Sequence, residues 1–165
     1  MRQWRSIARE AVAQVSIVVK FLSFLHVTDS YLFSFTHVLG PSMLPTLNIN
    51  GDVVLVEHLS HRIGKVGAGD LVLVRSPLDP RKTLTKRILA VEGDKVTFCL
   101  DPPRDPTRDY RSRSLVVPKG HVWIQGDNWY ASTDSRHFGP VPYGLIQGKV
   151  FLRVWPPNSF GSLGQ

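Results

Sequence analysis

The chain has 165 residues, 42 % of them apolar, a net charge of +7 and one cysteine. That length suits one domain with a real hydrophobic core, and a lone cysteine excludes an intrachain disulfide framework. The positive charge comes without a recognition-helix, finger or RNP-like pattern, which argues against nucleic acid as a partner and leaves an anionic membrane surface or simple solubility.

Residues 1–10 carry Arg2, Arg5 and Arg9, and residues 11–27 are mostly apolar. This is about the minimum length for a membrane-spanning helix. Lys20 interrupts the run, at roughly 2.5 to 3.5 kcal/mol if held at the bilayer centre and less if it snorkels. A helix lying on the membrane surface competes with a spanning one. The arginines would keep the N-terminus on the positive side. They also resemble a mitochondrial presequence, which Glu10 closes. Residues 1–37 are expected to be an N-terminal anchor segment, and 38–165 a β domain.

From residue 48 onward the pattern becomes strand-like. Gly51-Asp52, Gly69-Asp70 and Gly93-Asp94 are turn signals, each followed by a run rich in β-branched residues: 53–56, 71–74 and 95–98. Runs of apolar residues predict strands buried on both faces. Further strands are predicted at 84–91, 121–125 and 148–154. Twelve prolines and thirteen glycines fit short strands joined by turns. The class is therefore mainly β, a closed or folded-over sheet. Cys99, at the end of a strand-like run, reads as a small buried hydrophobe. Residues 101–114, basic and proline-rich, read as a surface insert. The tail from Pro156 reads as loop.

Chemistry concentrates in a few segments. Ser42 lies in Gly40-Pro41-Ser42-Met43-Leu44-Pro45, and the flanking prolines predict a rigid extended segment around it. A serine needs a proton acceptor to become a nucleophile. None of the six histidines, His26, His37, His58, His61, His121 and His137, stands in a recognisable triad context. His58 and His61 lack the spacing and acidic companion of a zinc helix, so no metal is expected. Lysine can serve if it is neutral, which requires its pKa to fall by roughly two units from about 10.4. Lys86 qualifies. On a strand over 84–91 it shares a face with Leu84, Ile88 and Ala90, while Arg87 points the other way.

A third segment, Gly126-Asp127-Asn128-Trp129-Tyr130-Ala131-Ser132-Thr133-Asp134-Ser135-Arg136, completes a set. These segments, in this order, resemble the signature boxes of the type I signal peptidase family, the membrane-bound Ser/Lys proteases. The resemblance implies a signal-peptidase-like folded β-sheet or barrel with a membrane-anchoring helix. It implies Ser42 as nucleophile, Lys86 as general base, Ser132 as the hydroxyl that orients the lysine, and Asp134 with Arg136 as a bracing ion pair. The Ser42 backbone N–H matches one oxyanion donor. Gly40 stands where some members carry a second donor, a serine. No cofactor is implied.

Within the family the chain is most similar to the first-subunit type of the mitochondrial inner membrane proteases. Glu92 replaces the proline usual in bacterial members, and residues 118–123 and 139–146 also read like that branch. The resemblance implies a serine endopeptidase that removes N-terminal sorting segments from preproteins. It would sit in the inner membrane facing the intermembrane space, with a related second subunit as partner. A catalytically silent partner subunit and a chloroplast or bacterial processing peptidase are the competing readings. A protease of this kind must grip an extended chain, and residues 38–44 and 82–85 are expected side by side as its strand edges.

Overall fold

The computed structural model describes residues 2–99 and 112–163. Helix α1 (Arg2–Val27) contains no proline or glycine and runs into a π-helical turn, Thr28–Leu32. The stretch Arg9–Leu32 is long and apolar enough to cross a membrane, and none of it is buried against the rest of the protein.

The chain then enters β1 (Phe33–Val38), followed by β2 (Asp52–Glu57), β3 (Leu71–Arg75) and β4 (Thr83–Val91). Next come β5 (Lys95–Phe98), β6 (Arg113–Val116) and β7 (His121–Gln125). A one-turn helix, α2 (Ser135–Phe138), precedes β8 (Val141–Pro142), β9 (Ile146–Trp155) and β10 (Gly161–Ser162). The main sheet has the order β1-β2-β9-β3-β4-β7-β8, with β10 also paired to β9, and β5 and β6 form a separate ribbon. Register shifts between β2 and β9, β3 and β9, and β4 and β7 break the ladder at several points. Such irregularities bend strands and curl a sheet.

All six predicted strands form. The four-residue apolar run of β3 is buried on both faces, as expected: Val72 and Val74 enter one core cluster with Ile88, Val122 and Ile124, while Leu71 and Leu73 enter another with Met43, Val54 and Val150. A one-residue slip would exchange these two sets, so the register of the sheet's centre is strongly fixed.

Several expectations need correction. The sheet begins at Phe33, inside the segment assigned to the anchor, because Phe33-Ser34-Phe35-Thr36-His37-Val38 alternates with a strand period and pairs with β2. The basic insert is not loop to its end: Arg113 and Ser114 belong to β6, paired with Phe98 and Thr97, and residues 101–111 lie outside those described. Cys99 is half-buried just beyond β5, not in a core. The tail is not plain loop either, since Gly161 and Ser162 pair with Arg153 and Leu152.

One buried cluster joins this tail to the loop after Ser42. Asp52 is fully buried and accepts hydrogen bonds from the Asn48 backbone (2.9 Å), Asn48 Nδ2 (2.8 Å) and Arg153 Nη1 (3.3 Å). Arg153 also donates to the Thr46 carbonyl (2.9 Å) and the Ser159 carbonyl (2.6 Å). Asp52→Ala is expected to lower stability by roughly 2 to 3 kcal/mol, below the usual cost of breaking a buried pair because Arg153 keeps two carbonyl partners. Thermal melting of the full chain in detergent measures this.

Candidate active site

The site starts from a turn. Gly40 has φ +109°, a conformation that side chains resist, so a serine there would be strained. Pro41–Met43 then form a 3-10 turn closed by the Leu44 N–H on the Pro41 carbonyl at 3.3 Å. This replaces the extended segment read from the prolines. The fixed φ of proline also suits the first position of a helical turn, and here that use wins. Met43 and Leu47, each 1 % exposed, pin the turn into the core beside Val54 and Leu71.

Residues 126–128 hold the turn from the other side. The Asn128 N–H donates to the Ser42 carbonyl at 3.0 Å, and Asn128 Nδ2 donates to the Pro41 carbonyl at 3.0 Å. Gly126 is required by this close approach, because a Cβ there would collide with the Ser42 carbonyl oxygen and the Ser132 side chain. Asp127 accepts from Thr46 Oγ1 (2.6 Å) and twice from Arg87, at Nε (2.9 Å) and Nη2 (2.8 Å).

Strand β4 delivers the lysine. Lys86 lies opposite Val72, and Arg87 opposite Leu71, so adjacent cations leave the strand on different faces. Lys86 is 3 % exposed, and its Nζ donates to Ser42 Oγ at 2.7 Å. Burial pushes the amine's pKa down from 10.5 to about 8; Asp134 and Asp127 act against the fall and Arg136 adds to it.

Asp134 is fully buried. Burial alone would raise its pKa, but the Arg136 guanidinium, the Gly126 N–H and the Ser132 hydroxyl together hold it below the ordinary value. Arg136 Nε and Nη2 each reach a different Asp134 oxygen at 2.8 Å, with 1 % of the arginine side chain exposed. Ser132 Oγ donates to Asp134 Oδ2 at 2.7 Å. The resemblance implied that this hydroxyl orients Lys86; its proton goes to an ionised carboxylate, a strong acceptor, and its oxygen keeps lone pairs able to accept from an amine.

The structure thus brings together Ser42 and Lys86, and Ser132, Asp134 and Arg136. It adds Thr46, Arg87, Asp127 and Asn128, which the sequence reading did not assign. Gly126-Asp127-Asn128 was visible as a box, but nothing in it shows which oxygen meets Arg87. His58 is used structurally, between Ser34 Oγ (2.8 Å) and the Gln147 carbonyl (2.7 Å). Among the described residues no group of three His, Cys, Asp or Glu could hold a metal.

A cleft opens beside Ser42. Val38, Leu39 and Gly40 line one wall, and Thr83, Leu84 and Thr85 the other. Strand β4 pairs with β7 only from Arg87 onward, so its first half has an open edge on the side away from β3. β1 is also an edge strand. The arrangement offers a hydroxyl, an amine able to be neutral near physiological pH, and strand edges within reach of an extended peptide.

The model of a family described as signal peptidase, peptidase S26, matches residues 9–103 and 101–155. The chain is 67 % identical over 163 residues to the mitochondrial ATP-independent inner membrane protease subunit 1a of Arabidopsis thaliana, covering 99 % of this chain and 95 % of that one. It is 41 % identical over 123 residues to the mitochondrial inner membrane protease subunit 2 of Danio rerio, covering 72 % of this chain and 62 % of that one. Among solved structures, a signal peptidase I from Enterococcus faecalis V583 aligns with a TM-score of 0.43 at 22 % identity, over 52 % of this chain and 96 % of that one.

Burying Lys86 has a cost that pH exposes. Between about 8 and 10.5 the unfolded chain holds a proton that the folded amine has lost, so this group makes stability rise with pH across that window. Below the window the penalty is complete. Lys86→Met is therefore expected to raise stability at neutral pH by on the order of 2 kcal/mol, net of the lost Ser42 hydrogen bond, and to flatten the rise above pH 8. Chemical denaturation at several pH values measures both.

Proposed function

The chain belongs to the signal peptidase family, peptidase S26, and is a membrane protease of the signal-peptidase type; we propose that Ser42 and Lys86 are its catalytic dyad. The observation that carries this is the 2.7 Å contact between a buried amine and the Ser42 hydroxyl. In its neutral form the amine accepts the hydroxyl proton at that same distance. Ser42 Oγ then attacks the carbonyl carbon of the scissile peptide bond, and the Ser42 N–H donates to the oxyanion. The Lys86 ammonium returns the proton to the leaving amine. Water, deprotonated by the same lysine, hydrolyses the acyl-enzyme. Asp134, Arg136 and Ser132 brace the base, and Asp127 and Asn128 brace the turn that carries the nucleophile.

The substrate is an extended segment laid between the β1 and β4 edges, held by backbone hydrogen bonds. Side-chain selection falls to the shallow cleft beside Leu39 and Leu84. The names of the close relatives support a place in the mitochondrial inner membrane; the substrates in this reading are preproteins whose N-terminal sorting segments are removed. The β domain that begins at Phe33 carries the catalytic site and faces the intermembrane space, and the helical segment before it is the anchor. The likeness to a subunit 2 supports a related subunit as partner in a heterodimer.

Processing of candidate preproteins, with and without a subunit 2, tests the dyad. Ser42→Ala and Lys86→Ala each abolish cleavage, and the double variant is no slower than either, since each member is useless alone. Lys86→Arg is also dead, because a guanidinium does not deprotonate. Cleavage by wild type rises as pH climbs towards and past about 8, where the amine becomes neutral. Activity in Lys86→Arg, or a rate flat across that range, would exclude Lys86 as the base.

Alkaline carbonate extraction of membranes tests the anchor. The full chain stays in the pellet if the stretch Arg9–Leu32 spans; release into the supernatant would place that helix on the surface, as the charge of Lys20 permits.

A further inference from the structure

One aromatic side chain lies against the bracing pair without a place in the chemistry so far. The Arg136 guanidinium carbon sits 4.5 Å from the centre of the Trp129 ring. Arg136 Nη2 also donates to the Trp129 carbonyl at 3.2 Å. The Arg136 side chain is 1 % exposed while Trp129 is 37 % exposed, so the indole is the outer layer over the guanidinium. Trp129 begins the short turn Trp129–Ala131, whose capping residue is Asn128. That asparagine holds both the Ser42 and the Pro41 carbonyls. A single residue thus touches the brace of the proposed base and adjoins the brace of the proposed nucleophile.

We infer that Trp129 is a positioning residue for catalysis, its stacked indole holding the Arg136 guanidinium on Asp134 and keeping water from the pair, so that the Lys86 amine remains free to accept the Ser42 proton. This rests on the reading of Lys86 as the base. The negative face of an indole attracts a guanidinium, and more strongly when water is excluded. The charged groups that act on Lys86 are Asp134, Asp127 and Arg136. Asp127 is occupied by Arg87. His137 Nδ1 stands 4.0 Å from Asp134 Oδ1 but is half-exposed, so it is a weak substitute for Arg136. Loosening Arg136 therefore leaves the Asp134 charge to Lys86, admits water, and favours the charged amine on both counts.

The test reads the lysine directly, without catalysis. Full-length protein in detergent is labelled with trace acetic anhydride across pH, and acetylation of Lys86 is followed by mass spectrometry. Trp129→Leu keeps apolar bulk but loses the π face; Trp129→Phe keeps a face. The labelling midpoint of Trp129→Leu is expected to move up by about half a pH unit, roughly a threefold loss of neutral amine at fixed pH, while Trp129→Phe stays near wild type. The acid limb of the processing rate should move with it. An unmoved midpoint in Trp129→Leu, or equal movement in Trp129→Phe, overturns the inference, even if the melting temperature falls. Should Trp129→Leu fail to fold, Trp129→Met takes its place with the same readings. Cleavage persisting in Lys86→Ala would instead overturn the dyad, and would leave the labelling result standing on its own.

Discussion

A lysine amine held 2.7 Å from a serine hydroxyl, with 3 % of the residue exposed, is expensive to fold around. A buried ammonium without full compensation destabilises the protein that contains it. The compensation here is partial by construction. Two carboxylates lie near enough to favour the charged amine, yet burial outweighs them and the pKa still falls to about 8. That balance depends on the carboxylates being occupied elsewhere: Arg87 is bidentate on Asp127, and Arg136 is bidentate on Asp134. Each arginine satisfies an acid that could otherwise have paired with the lysine.

The same pairs fix geometry. Asp127 ties β4, through Arg87, to Thr46 in the loop after Ser42. Asp134 ties Ser132, Arg136 and the Gly126 N–H into one unit. Asp52 and Arg153 tie that same loop to the end of β9. The Ser42 turn is thus held by hydrogen bonds above and by Met43 and Leu47 in the core below. Fully satisfied buried polar networks are rigid, and a dyad needs that rigidity, because small displacements of reacting groups cost large factors in rate.

The sheet supplies the rest. β3, buried on both faces, fixes the register of β4 and so the face on which Lys86 emerges. The interrupted ladders between strands allow the sheet to curl, which brings the β1 end and the open half of β4 to opposite walls of one cleft. Open strand edges are normally an aggregation hazard. In the proposed function these edges are where the substrate pairs.

Much of this was legible in the chain. Short β-branched runs after Gly-Asp turns marked the strands, because local propensity and turn chemistry act over a few residues. Period two placed Lys86 with Leu84 and Ile88 and put Arg87 on the other face. Ala90, expected on the lysine's face, lies past a register shift and packs with Val117 and Trp123 instead. The order of the serine, lysine and Gly-Asp-Asn segments identified the family and its candidate residues. Other features were decided only by folding. Prolines around Ser42 are compatible with both an extended segment and a tight turn, and the choice fell to Met43 and Asn128, which come from the core and from a distant loop. Nothing local says that Ser132 gives its proton to Asp134, that Asp127 meets Arg87, or that an indole covers Arg136. These contacts join residues through three-dimensional proximity, and sequence patterns carry the identity of such groups but not the direction of their hydrogen bonds.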